Sequence, residues 1–384
     1  MKITIGADLA PTDTNKDIFE SGNIESIIDE KILDVLSKAD FRIFNLETPL
    51  ADAETPIDKR GPGLIAPVKT VNGIKKINPS LLTISNNHIL DQGAQGLFST
   101  VKALDDAKIE HIGAGKNLEE ARNGCIYEKD GIKVGVYACC EHEFSVAADN
   151  TPGANPFDPL ESLDHISNLK LHCDYLIVLY HGGKEYYRYP SPYLKKVCRK
   201  ICDNGADFVI CQHSHCIGCK EEYEGSTIVY GQGNFLFDLS DNECWQTSLL
   251  IELDLQKESS SVKYYPLAKS GNGVKMAENR KSLDGFEERS MEIKNNPEII
   301  NEKYEKIASE TAGYYLSCIS GETFFKKLLV KLFGLNAMKK YYKKKDYYTV
   351  LNYINCEAHR EFLDCAVKQC LKEEKIKAEQ KEKK

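Results

Sequence analysis

Phe208-Val209-Ile210-Cys211-Gln212-His213-Ser214-His215 is an apolar, strand-like run that ends in two histidines one residue apart, with Gly218 in the loop beyond. Residues i and i+2 of a strand share a face. Both imidazoles are therefore expected to aim at one point where the strand runs out. Imidazole is the commonest side-chain ligand for transition metals, although a lone His-x-His also fits two structural histidines. Four other strand-like runs end in the same kind of residue, and together they decide the fold. Lys2–Ala7 delivers Asp8, and Phe41–Leu46 delivers Glu47. Leu81–Ser85 delivers Asn86-Asn87-His88 and then Asp91, and Tyr175–Tyr180 delivers His181-Gly182-Gly183.

Helical periodicity fills the gaps between these runs, over Ile24–Ser37, Leu97–Ala107 and Lys195–Asp203. Cys125–Glu128 and Lys133–Cys139 flank Asp130-Gly131, a hairpin signal. Thr227–Tyr230, Ser248–Leu255 and Val262–Pro266 read as further strands. Buried strands joined by helices make an α/β sandwich, and in such folds ligands bind beyond the carboxyl ends of the strands. Pro56–Pro67, rich in proline, glycine and mixed charge, is expected to be an exposed loop near the second strand end.

Composition limits the function. The chain has 384 residues, 42% hydrophobic and 28% charged, with a net charge of -8. That argues against a general nucleic-acid binder. No apolar run approaches the roughly 20 residues that span a bilayer, and Met1–Asp8 reads as a first strand rather than a signal peptide. A cytoplasmic location, peripheral to the membrane, is expected, with the cysteines as reduced thiols. Cys216-Ile217-Gly218-Cys219 has CxxC spacing without a second CxxC, so a zinc knuckle or redox role stands against ordinary buried cysteines. Past about residue 275 glycines thin out and charges crowd. The expected organisation is a main domain over 1–275, a helical extension over 276–371 and a charged, disordered tail over 372–384. Phe325–Lys345 reads as one basic amphipathic helix, either a solvated face or a contact with an anionic membrane surface or polymer.

Two carboxylates, one amide and several imidazoles meeting on one edge suit two divalent ions that share a bridging carboxylate. Such ions lower the pKa of a bound water and stabilise an oxyanion. Mixed oxygen and nitrogen donors favour Mn, Zn or Fe over Mg or Ca.

Several blocks occur in a telling order: Gly6-Ala7-Asp8, Asn45-Leu46-Glu47-Thr48-Pro49-Leu50, Asn86-Asn87-His88-Ile89-Leu90-Asp91-Gln92-Gly93, His181-Gly182-Gly183-Lys184-Glu185-Tyr186, Gln212-His213-Ser214-His215 and Tyr230-Gly231-Gln232-Gly233-Asn234-Phe235. Over about residues 1–240 they resemble the CapA family of bacterial capsule and poly-γ-glutamate synthesis, a relative of the calcineurin-like metallophosphoesterases. The resemblance implies a four-layer αββα sandwich, with Asp8, Glu47, Asn87, His181, His213 and His215 as ligands of two metal ions. It implies a general-acid role for His88. It also implies a hydrolase or transferase in capsule or poly-γ-glutamate-type assembly that uses metal-activated hydroxide on a phosphoester or γ-glutamyl amide. The expected partners are an anionic polymer or its precursor and capsule synthase components at the membrane. A non-catalytic accessory subunit of a polymer synthase is the alternative. Metallophosphoesterases usually open with Asp-x-His, whereas here Asp8 is followed by Leu9 and Ala10.

The bland readings stand beside these. Asp8 is a ligand or a cap, and Glu47 a ligand or a surface turn residue. One of Asn86 and Asn87 only shapes the loop. Asp91 either orients His88 or caps the next helix. Glu185 contacts substrate or pairs with Arg188. Asn234 is expected beside the substrate, forming a loop rather than ligating.

Overall fold

The computed structural model describes residues 1–59, 61–319, 324–355, 363, 367, 371 and 374–378. Its strands are β1 (Lys2–Ala10), β2 (Phe41–Leu46), β3 (Leu81–Thr83), β4 (Glu110–Ile112), β5 (Ala114–Gly115), β6 (Cys125–Lys129), β7 (Ile132–Cys140), β8 (Gly153–Ala154), β9 (Tyr175–His181), β10 (Phe208–Gln212), β11 (Lys220–Tyr223), β12 (Ser226–Val229), β13 (Asn234–Phe237), β14 (Thr247–Leu255), β15 (Ser260–Ser270) and β16 (Gly273–Met276). One sheet runs β16-β15-β14-β1-β2-β3-β4, with β13 also paired to β1, and the other runs β11-β12-β10-β9-β7-β6.

Side-chain alternation turns these sheets into layers. Ile3, Ile5, Phe41 and Ile43 of the first sheet face Val134, Val136, Ile177, Leu179, Phe208 and Ile210 of the second. The outer face of the first sheet, with Phe44 and Leu82, is covered by Ile32 and Leu36 of helix Glu30–Ser37 and by Leu97 and Leu104 of helix Gly93–Ala107. The outer face of the second, with Val178 and Val209, is covered by Ile166 of helix Ser162–Lys170 and by Leu194, Val197 and Ile201 of helix Pro192–Asp203. Each such aliphatic side chain contributes about 1.5–3 kcal/mol by leaving water. The result is the four-layer αββα sandwich. Asp130 (φ 54°) and Gly131 (φ 75°) form the two-residue turn between β6 and β7, as the Asp-Gly pair predicts.

A bulge in β1 sets the first strand end. Ile5 pairs with Ile43, but Asp8 pairs with Asn45, so β1 carries one extra residue. The bulge re-aims the residues beyond it: Ala7 and Leu9 join the outer core, and Asp8 points between the sheets. Gly6 sits in this bulge, where a Cβ would lie 2.1 Å from the ring of the fully buried Phe44. Gly6→Ala is expected to destabilise the fold by about 1–3 kcal/mol through overpacking, measured by denaturant unfolding.

Three expectations change. The periodicity over Ile24–Ser37 resolves into a 3-10 turn at Ile24–Ser26 and a helix at Glu30–Ser37, capped by Asp29, whose side chain accepts from the Lys31 backbone N–H. Phe325–Lys345 is not one helix but Phe324–Phe333, Asn336–Tyr341 and the start of Lys344–Asn355, broken at Gly334 (φ 75°) and at Tyr342-Lys343. The Pro56–Pro67 loop is not wholly exposed, because the side chain of Lys59 and all of Ala66 are tucked in.

The compact unit that carries the sheets extends from Met1 to Glu302, so helix Lys281–Asn295 lies inside it, past the change of composition near residue 275. A second unit spans Lys303–Lys384; its described residues are mostly helical, and among them Tyr347 donates through its hydroxyl to the carbonyl of Lys339 at 2.8 Å. Of the charged tail, residues 374–378 are helical; 372, 373 and 379–384 lie outside the described residues. Among the described residues, no helix is long and apolar enough to cross a membrane.

Candidate metal centre

Strand parity places the first histidine. Ile177 and Leu179 of β9 face the inter-sheet core, and His181 follows two residues on. Its Nε2 lies 3.0 Å from Oδ1 of Asn87 and 3.4 Å from Oε1 of Glu47. Parity does not place the other two. β10 ends at Gln212, and His213 (φ 85°) and His215 (φ 52°) are both left-handed. They converge, with ring centroids 6.0 Å apart, because the loop coils around Ser214 and not because a strand alternates. Backbone in this region is sparsely populated for residues with a Cβ, and here it serves to turn both rings inward.

Two groups of donors result: Glu47, His181 and His213, and Asp8, Glu47 and His215, with the donor atoms of each group within 4.8 Å of one another. All five residues are buried, and Glu47 belongs to both groups. Asp8 is anchored: Asn45 donates to it at 2.8 Å, and the His213 backbone N–H does so at 3.1 Å. Glu47 is not, since neither of its oxygens has a hydrogen-bond partner among the described residues. Nδ1 of His213 is likewise unpartnered there. A buried carboxylate with no donor costs several kcal/mol unless something positive completes it. The donor set therefore fits divalent metal, and Glu47 is the residue common to both groups.

Electrostatics agree. Burial raises the Asp8 carboxyl to about 8, helped by the charge of Glu47, and burial pushes Glu47 well above the usual carboxylate range. Burial also depresses His181 and His213, the latter strongly, and holds His215 at about 3. Ion binding must therefore displace protons from the carboxyls. Apparent metal affinity is expected to rise with pH through the titration of Asp8 at about 8, with proton release detectable by calorimetry in buffers of differing ionisation enthalpy. Without metal the linkage runs the other way. A carboxyl raised from about 4 to about 8 contributes stability that is lost as pH rises through that window. The depressed histidines lose theirs as pH falls below about 6.5. The metal-free protein is thus expected to weaken between about pH 6.5 and 8, measured by thermal unfolding.

Asn86 shapes the loop: its amide donates to Leu46 O and Asn45 Oδ1, and its oxygen accepts from the His88 backbone. That leaves Asn87 at the site. Nδ1 of His88 lies 2.6 Å from Oδ2 of Asp91. The cap position of the following helix is Gln92, so Asp91 orients His88 rather than capping. Arg188 pairs with Glu243 at 3.0 Å, not with Glu185, whose charge reaches Glu47. Asn234 is buried, with Oδ1 2.9 Å from Nδ1 of His215. Cys211 points into the outer core, its sulfur 3.6 Å from that of Cys198. Cys216 and Cys219 pack into different clusters, so the CxxC spacing does not make a knuckle.

These donors all lie within residues 2–239, which match a family model described as "Bacterial capsule synthesis protein PGA_cap". The chain belongs to this family. Among curated proteins, it is 31% identical over 208 residues to the PGA biosynthesis protein CapA of Bacillus subtilis, covering 53% of this chain and 51% of that one. It is 30% identical over 181 residues to the capsule biosynthesis protein CapA of Bacillus anthracis, covering 46% and 44%. The chain thus spans about half the length of the curated relatives it matches. A solved phosphatase from Mycoplasma pneumoniae aligns over 70% of this chain and 94% of its own, at 14% identity and a TM-score of 0.43.

Reading the motifs alone misses four residues. The side chain of Lys59 is buried, salt-bridged to Asp91 and 3.3 Å from Nδ1 of His88. Nothing in a glycine- and proline-rich loop signals this. Asn45 bonds Asp8 and lies 3.3 Å from Nδ1 of His181; a polar residue at the inward position after Phe41 and Ile43 was the available signal. Trp245 stacks on His215 with centroids 4.4 Å apart, and Glu143 lies 4.0 Å from Nε2 of His213.

Proposed function

We propose that this chain is a metal-dependent hydrolase or transferase acting in the assembly of a capsular or poly-γ-glutamate-type polymer, on a phosphoester or γ-glutamyl amide bond. The observation that carries the reading is Glu47, a buried carboxylate common to both donor groups, with no protein donor of its own among the described residues. The names of the curated relatives support the setting. Two divalent transition-metal ions, Mn, Zn or Fe, held by Asp8, Glu47, Asn87, His181, His213 and His215, would supply the positive charge that polarises the scissile group and activates a water.

The remaining work falls to the chain itself. Asn45 fixes Asp8 and stands against His181, which sets the carboxylate and the ring before any ion arrives. As imidazolium, His88 would give its Nε2 proton to the leaving group, while its Nδ1–H donates to Asp91, which orients the ring. Lys59 holds the buried Asp91 through its salt bridge. Glu185, half-buried and with its charge felt at Glu47, would meet substrate. The polymer or its precursor, and synthase components at the membrane, are the partners, with the chain peripheral to the membrane on the cytoplasmic side.

The test is a hydrolysis assay of Mn- or Zn-loaded protein on phosphoesters and γ-glutamyl compounds. Metal-dependent turnover supports the reading. Full metal loading with no turnover on either class would favour a non-catalytic accessory subunit of a polymer synthase, the reading that Leu9 and Ala10 after Asp8 favour.

A further inference from the structure

We infer that Asn234 supplies its Oδ1 as a ligand to the ion held by Asp8, Glu47 and His215, in place of the histidine that metallophosphoesterases carry two residues after their first aspartate. The inference rests on the metal reading above and deepens it.

Here the residue two after Asp8 is Ala10, packed with Phe237 and Trp245 in a small apolar cluster. The Asp8 group is therefore one donor short. Asp8, Glu47 and His215 form it, while Glu47, His181 and His213 on the other side have Asn87 as a fourth. β13 fills the gap. It runs parallel to β1, with Asn234 paired to Asp8. Asn234 is 7% exposed, and its Nδ2 has no partner among the described residues.

Its Oδ1 lies 2.9 Å from Nδ1 of His215, the ring nitrogen that stands 4.0 Å from Oδ2 of Asp8. Two donors about 2.1 Å from one ion, at the right angle of octahedral coordination, stand roughly 3 Å apart. The other group repeats the pattern, with Oδ1 of Asn87 and Nε2 of His181 separated by 3.0 Å. Each side of Glu47 thus has one amide oxygen beside one imidazole nitrogen. A hydrogen bond to His215 alone would be a poor reason for this residue. It leaves a buried amide N–H group unmet, a cost that an apolar residue would not carry.

Asn234 faces His215 from within the site.

The test uses the full chain with Mn(II) as probe. Crystals of Mn-loaded wild type should show, by anomalous scattering, Oδ1 of Asn234 within about 2.4 Å of an ion. An Oδ1 more than about 3 Å from every ion, in contact with His215 only, overturns the inference. In parallel, titration of Asn234→Leu should show one ion weakened at least about tenfold, with Asn234→His restoring it. Two ions bound by Asn234→Leu at wild-type affinity would also overturn it. If wild type binds no ion at all, the metal reading falls and this inference with it; if only the Asn234 results fail, the metal reading stands.

Discussion

Glu47→Gln is expected to abolish binding of both ions while leaving the metal-free chain no less stable than wild type. Either group of donors loses its shared member, so neither side of the site is spared. The amide keeps the volume of the side chain but cannot bridge two cations as a carboxylate does. Removing a buried ionisable group without a donor also removes a cost. For wild type, metal at about 100 times its dissociation constant should add about 2.7 kcal/mol per site. The variant should gain nothing. The metal-free variant should also lose less stability between about pH 6.5 and 8, because one of the two raised carboxyls is gone. Thermal unfolding with and without Mn(II) across that range reads all three effects. Retained stabilisation by metal in the variant would remove Glu47 from the centre of the account.

His88→Asn is expected to lower turnover by about 10²–10⁴-fold with metal content unchanged, the loss typical of a general acid. His88 is in neither donor group, and Nδ1 faces Asp91 at 2.6 Å. Substrates with a good leaving group, which need no proton, should lose far less. Lys59→Met tests the support behind this residue. It strands the buried Asp91 with a weaker hold on His88, and should lower turnover and alter the basic limb of the pH–rate profile. A loss of metal in His88→Asn would instead make the histidine a ligand.

The strand ends were legible because buried apolar runs followed by Asp, Glu, Asn or His obey simple parity. Phe41 and Ile43 lead to Asn45, and Ile177 and Leu179 lead to His181. Parity also misled. His213 and His215 meet through left-handed backbone, which an i, i+2 rule does not contain, and Asp8 takes its direction from a bulge at Gly6. Lys59 was invisible because its position depends on contacts distant in sequence. The Leu64 N–H donates to Asp91 at 2.6 Å, and the Ile57 N–H donates to the Asp91 carbonyl at 3.0 Å, folding the loop back over the site. The setting of Asn234 was hidden for a related reason. A Gly-Gln-Gly-Asn run signals a turn, while only the pairing of β13 with β1 sets that asparagine beside Asp8. The helix over Phe325–Lys345 failed locally, since Gly334 outweighs the periodicity around it.

The most direct test of the central claim is metal content per chain by elemental analysis, on protein purified without chelator or histidine tag and then incubated with Mn or Zn. The account predicts about two transition-metal ions per chain, as two ligand groups sharing one carboxylate require. No bound metal under these conditions would contradict it.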